Sequence, residues 1–131
     1  LSEKQSITNV INGFYNIISG KATEKRDWAC CKKLFTEDAN LKIIDKKVNA
    51  LQMDVDTYII RVGNFLKEND FYEYGLNYKI EIFRNIANVY SEYEAKKSLS
   101  DEAIIKRGVN LVHLYDDGNG WKISSMIWQD E

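Results

Sequence analysis

A chain of 131 residues, 44% apolar and 29% charged, has the size and balance of one globular domain spanning 1–131. Its formal net charge of −2 removes any general electrostatic pull towards nucleic acid or anionic lipid. No apolar run reaches the ~20 residues that span a bilayer, so no membrane partner is expected.

Ser2-Glu3-Lys4-Gln5 reads as a capping box. Ile7, Val10, Ile11, Phe14, Ile17 and Ile18 then recur at helical spacing, until Ser19-Gly20 ends the run. A second helix is expected over roughly Glu24 to Phe35, with Trp28, Cys31, Leu34 and Phe35 on one face. Its adjacent cysteines, Cys30 and Cys31, are too close in the chain to bridge without strain, so they read as reduced thiols. Reduced thiols point to a reducing compartment, the cytoplasm. The chain opens at Leu1 with no initiator methionine and no signal-peptide pattern, which leaves a removed leader open. With one histidine and no third cysteine, no metal site is expected, and no cofactor either. Ala39 to Ile44 reads as a first strand, Asp45-Lys46-Lys47 as a turn and Val48 to Met53 as a short second strand. Asp54 or Asp56 caps a third helix, on which Val55, Tyr58, Ile59, Val62, Phe65 and Leu66 trace one stripe.

The rest of the chain reads as four strands, near Tyr72–Phe83, Ile86–Lys97, Ile104–Tyr115 and Trp121–Gln129, with a polar hairpin loop at 98–102. Along the second of these, Ala87, Val89, Ser91, Tyr93 and Ala95 form a small, mostly apolar face opposite Asn88, Tyr90, Glu92 and Glu94. In the last strand, strict alternation sends Trp121, Ile123 and Ile127 one way and Met126 and Trp128 the other. A strand apolar on both faces is covered on both. A homodimer through the outer sheet face, at Met126 and Trp128, is therefore expected. A two-residue turn at Asn119-Gly120 or Asp117-Gly118 would set Asn110, Val112 and Leu114 on the face of Trp121, Ile123 and Ser125. A five-residue loop would instead turn Leu111 and His113 to that face.

The runs Phe83-Arg84-Asn85-Ile86-Ala87-Asn88-Val89-Tyr90-Ser91-Glu92-Tyr93-Glu94, Arg107-Gly108-Val109-Asn110, Gly120-Trp121-Lys122-Ile123 and Trp128-Gln129-Asp130-Glu131 carry a resemblance. Together with the helices before them, they resemble the nuclear transport factor 2-like superfamily, in its SnoaL-like bacterial branch. The resemblance implies an α+β, cone-shaped barrel: three N-terminal helices packed on a curved, mostly antiparallel sheet, a pocket between the layers, and frequent dimers. It also implies isomerases, cyclases and dehydratases among the relatives, beside members with no activity. The isomerase pattern fits poorly. Its tyrosine on the first helix falls on Phe14, with Tyr15 off the stripe. Its base falls near Ile43, with Asp45 close by, and Val89, Ser91 and Tyr93 stand where its acid would be.

Fold alone does not settle function. Three readings stay open. The first is a binding module whose pocket, lined by Phe14, Trp28, Phe35, Tyr58, Val62, Phe65, Val89 and Ser91, holds a small hydrophobic ligand oriented by Tyr93, Asn110 and Ser125. The second is a lyase, isomerase or cyclase using Tyr93, Asp45 or His113. The third is a non-catalytic dimer whose cavity is filled by side chains. Arg84 and Arg107 would suit a ligand carboxylate but read first as solvated ion pairs. Glu73, Glu81, Glu92 and Glu94 read as strand-surface carboxylates paired with Lys79, Lys96 or Lys97.

Overall fold

The computed structural model describes residues 1–131. In chain order it contains α1 (Glu3–Ile18), α2 (Trp28–Lys33), β1 (Phe35–Ile44), β2 (Ala50–Met53), α3 (Val55–Leu66), β3 (Tyr72–Phe83), β4 (Ile86–Lys96), β5 (Lys106–Asp116) and β6 (Trp121–Asp130). The capping box at the start of α1 is formed: Ser2 Oγ accepts from the Gln5 N–H at 3.1 Å and Gln5 Oε1 from the Ser2 N–H at 3.0 Å. Asp54, not Asp56, caps α3 through the Thr57 N–H at 2.8 Å.

The second helix is shorter than its apolar spacing predicts. Asp27 accepts from the Cys30 N–H at 3.0 Å and starts α2 at Trp28. Ahead of it, the Arg26 guanidinium donates to the carbonyls of Gly20, Lys21 and Glu24 and holds a turn in place of a helix. Phe35 already belongs to β1. Cys31 is sealed in the core and Cys30 is exposed, and both are free thiols.

The six strands form one sheet in the order β2-β1-β6-β5-β4-β3, antiparallel except where β1 runs parallel to β6. The helices pack on one face. Ile7, Ile11, Phe14 and Ile18 of α1 join Val89, Val112, Leu114 and Ile123 of the sheet in a single buried cluster. The end of α1 is laced to β3: Gly20 and Phe71 exchange backbone hydrogen bonds of 2.8 and 3.0 Å.

Two bulges in the antiparallel strands β3 and β6 decide which of their side chains face the helices. In β3 the pairing with β4 slips between Gly75 and Asn77. Phe71 and Glu73 face inward before the slip; Tyr78 and Ile80 do so after it. In β6 the slip lies at Ser124-Ser125, opposite His113 and Leu114. Trp121 and Ile123 face inward before it, Met126 and Trp128 after it. The outward orientation expected for Met126 and Trp128 is thus corrected by one extra residue, which exchanges the faces of everything beyond it.

The β5–β6 connection is a four-residue loop, Asp117–Gly120, and not a two-residue turn. The Asp116 carboxylate accepts from the N–H groups of Gly118 (2.8 Å) and Gly120 (3.0 Å), both at positive φ. Two and four have the same parity, so Asn110, Val112 and Leu114 still share the face of Trp121 and Ile123, and His113 is exposed. Ser125 does not join them. It pairs with His113 and with Asn40, on the outward side of the bulge.

Candidate functional site

Between the helices and the inner face of the sheet lies a cavity of about 260 Å³. Phe14 and Ile18 of α1 form one wall. Tyr58, Arg61, Val62 and Phe65 of α3 form a second, with Ile43 and Met53 from β1 and β2 beside them. The sheet supplies the floor: Glu73 of β3 after Phe71, then Tyr93, Lys106, Asn110, Met126 and Trp128. Aromatic rings meet edge to face around this space, Tyr58 against Trp128 at 5.9 Å and Phe65 against Phe71 at 5.6 Å between centroids. Exposed Arg61 and half-exposed Phe65 mark the mouth.

Of the side chains expected to bind ligand, Phe14, Tyr58, Val62, Phe65, Tyr93 and Asn110 are brought together on this wall. The others are not. Trp28 stands at the start of α2 against Gly63 of α3. Phe35 is buried edge-on to Phe14 behind the cavity. Val89 and Ser91 lie fully buried in the core. Ser125 is turned away by the bulge. Asp45, offered as a base, sits in the β1–β2 turn and accepts from the N–H groups of Lys47 and Asn49, both at 2.9 Å. Those hydrogen bonds hold its carboxyl below the usual range, far from any role as a proton acceptor.

The polar end of the cavity is built around Glu73, a residue expected on the strand surface beside a lysine and found inside instead. Its inward placement comes from α1. The Ser19 hydroxyl accepts from the Glu73 N–H at 2.9 Å and donates to the Tyr15 carbonyl at 2.7 Å. Glu73 is only 8% exposed, and no side chain or backbone group hydrogen-bonds to its carboxyl. Burial raises that carboxyl to about 7, with nearby Lys106 opposing the rise and Asp130 adding to it. The Lys106 ammonium makes its ion pair with Asp130 instead, at 3.8 Å, and lies 5.7 Å from the centre of the Phe71 ring.

Of the other hydroxyls near the cavity, that of Tyr58 has no hydrogen-bond partner, and those of Tyr93 and Tyr15 are committed. Tyr93 donates to Asp130. Tyr15 shares a hydrogen with Ser91 at 2.6 Å and accepts from the Asn110 amide at 2.8 Å, forming a fully internal triad. Burial pushes the Tyr15, Tyr58 and Tyr93 phenols above their ordinary range. Glu94, expected on the strand surface with a lysine, is bound by Arg107, whose Nε and Nη2 reach one carboxylate oxygen at 2.9 and 2.7 Å, while Tyr74 donates to the other at 3.0 Å. Arg107 is therefore an ion-pair partner, and Arg84 stands on the β3–β4 turn beside Phe83. His113 lies outside, on the opposite face.

The arrangement of three helices on this sheet is shared with solved structures. A protein of unknown function with a cystatin-like fold from Nostoc punctiforme superposes with a TM-score of 0.75 at 11% identity, over 98% of this chain and 90% of that one. The chain has the nuclear transport factor 2-like fold. A protein of that description and of unknown function from Silicibacter pomeroyi matches with a TM-score of 0.70 at 12% identity, over 97% of this chain and 94% of that one. A third structure, of a protein from Novosphingobium aromaticivorans provisionally named a scytalone dehydratase, matches with a TM-score of 0.73 at 14% identity, covering 98% of this chain and 84% of that one. At such identities the likeness concerns the fold alone. Neither a protein-family model nor a curated protein sequence matches the chain. No helix is long and apolar enough to cross a membrane.

Proposed function

We propose that this nuclear transport factor 2-like protein binds a small, mostly apolar molecule in the cavity between α1, α3 and the sheet. The observation that supports this most is an aromatic-lined space onto which two buried polar side chains, Glu73 and Tyr58, open without a hydrogen-bond partner, the pattern of a ligand site rather than of a core. A water's share of liquid volume is ~30 Å³, so the space equals about nine waters. It suits a ligand with on the order of ten non-hydrogen atoms.

The enzymatic reading draws on the raised Glu73 carboxyl, which has the affinity for protons that a general base needs. Isomerase and lyase chemistry also needs donors aimed at a developing oxyanion. Here Tyr93 is spent on Asp130 and Tyr15 on Ser91, which leaves Tyr58 as the single uncommitted phenol on the wall. Binding is the better supported function.

Native mass spectrometry of the purified protein tests it, expecting a bound small molecule. Val62→Trp, which fills the cavity, is expected to abolish its uptake. Undiminished uptake by that variant would place the ligand elsewhere.

The same reading includes a homodimer through the outer sheet face, with other residues than Met126 and Trp128. Tyr90, Leu111 and Ile127 are register partners on adjacent strands, 37%, 44% and 39% exposed, and form one apolar row across β4, β5 and β6.

A further inference from the structure

We infer that the ligand of this cavity is a small arylalkyl amine, its ammonium group held by the Glu73 carboxylate and its hydrocarbon part by the surrounding aromatic rings. The inference rests on the cavity being a binding site at all.

The geometry of the polar end carries it. A buried carboxyl normally has hydrogen-bond donors, because leaving one without them is costly. Glu73 has none, although its own backbone is fixed by Ser19 and its neighbours are rich in donors. The nearest cation, Lys106, is engaged by Asp130 and lies against the Phe71 ring. The phenol of Tyr93 also points to Asp130. The missing donor must come from whatever fills the space. A hydroxyl would supply one hydrogen, whereas an ammonium supplies three and also neutralises the charge.

The rest of the wall favours a cation as well. Phe14, Tyr58, Phe71 and Trp128 turn ring faces or edges to the cavity, and aromatic faces attract cations once water is excluded. An anionic ligand would meet Glu73, and of the two cations lining the cavity Lys106 is already paired with Asp130 and exposed Arg61 stands at the mouth.

Ionisation of Glu73 adds a signature in pH. The groups that face it are Tyr15 from α1, Tyr58 and Arg61 from α3, Tyr93 from β4, Lys106 from β5 and Asp130 from β6. Its carboxyl titrates at about 7, so it is mostly protonated at pH 6 and mostly ionised at pH 8. A protonated amine binds the ionised form, so its affinity should rise about tenfold between those pH values.

The test is calorimetric titration with two probes of one shape, phenethylamine and phenethyl alcohol. The amine is expected to bind wild type at least about tenfold more tightly than the alcohol at pH 8. That preference should shrink at pH 6 and vanish in Glu73→Gln. Equal affinities, or a preference that survives in Glu73→Gln, would overturn the amine assignment and leave the cavity as a neutral apolar site. If neither probe binds, the cavity reading falls and the amine assignment with it. The wild-type comparison at two pH values decides the matter even if the variant fails to fold.

Discussion

Between pH 5 and pH 8 the Glu73 carboxyl works against the fold. Its folded value of about 7 lies above the ordinary 4.5, so between those two values the folded protein holds a proton that the unfolded chain has released. Stability contributed by the neutral acid is complete below the ordinary value and is lost as pH rises through 7. The loss amounts to about 3 kcal/mol. Urea titrations at pH 5 and pH 8 should show it in wild type, and Glu73→Gln should lack it. An equal decline in the variant would assign the effect to other groups. The Tyr15 triad works the opposite way, because every member is satisfied. Tyr15→Phe leaves Ser91 and Asn110 buried without their partner and should cost about 1–3 kcal/mol. Combining it with Ser91→Ala should cost less than the two changes summed, since one hydrogen bond cannot be lost twice.

Helix starts were legible from single residues: Ser2 and Gln5 for α1, and an aspartate for α3, because a cap is a local hydrogen bond. The strands were legible from alternation, but their faces were not always so. A reading that alternates strictly through β6 splits Trp121 and Ile123 from Met126 and Trp128; the bulge at Ser124-Ser125 reunites them. No glycine marks that bulge. In β3 a signal was present: Gly75 lies where a Cβ would overlap the Tyr78 ring, and a glycine inside a strand often marks a bulge or a close approach. Taken with inward Phe71, it places Glu73 inside. Gly108 is a second close approach, where a Cβ would overlap the Tyr93 hydroxyl and the Gln129 carbonyl. Deleting Ser124 should turn Met126 and Trp128 outward and remove their side chains from the core. The expected loss is about 3–5 kcal/mol, read as a lowered urea midpoint.

At the scale of the molecule, the order of helices before strands was enough to anticipate the α+β architecture, since three apolar stripes need one sheet face to cover. The cavity was only half anticipated. Six of its lining side chains come from periodic positions, but Trp28 and Phe35 were assigned to it from a helix that ends sooner than its stripe. The proposed dimer belongs to this scale too. Leu111→Asp combined with Ile127→Asp breaks the apolar row without touching the cavity, so it should give monomers in size-exclusion chromatography with light scattering. Amine uptake should be retained. A dimer that persists would move the interface off this face.

The unequal fates of neighbouring Cys30 and Cys31 make α2 its own reporter. One sulfur meets solvent; the other is wholly enclosed, its thiol pushed up to about 12 by burial. A maleimide pulse should therefore add a single label to intact molecules and a second only to those in which this short helix has come away from its neighbours. Counting doubly labelled chains by mass would time that opening directly, with no probe introduced into the protein.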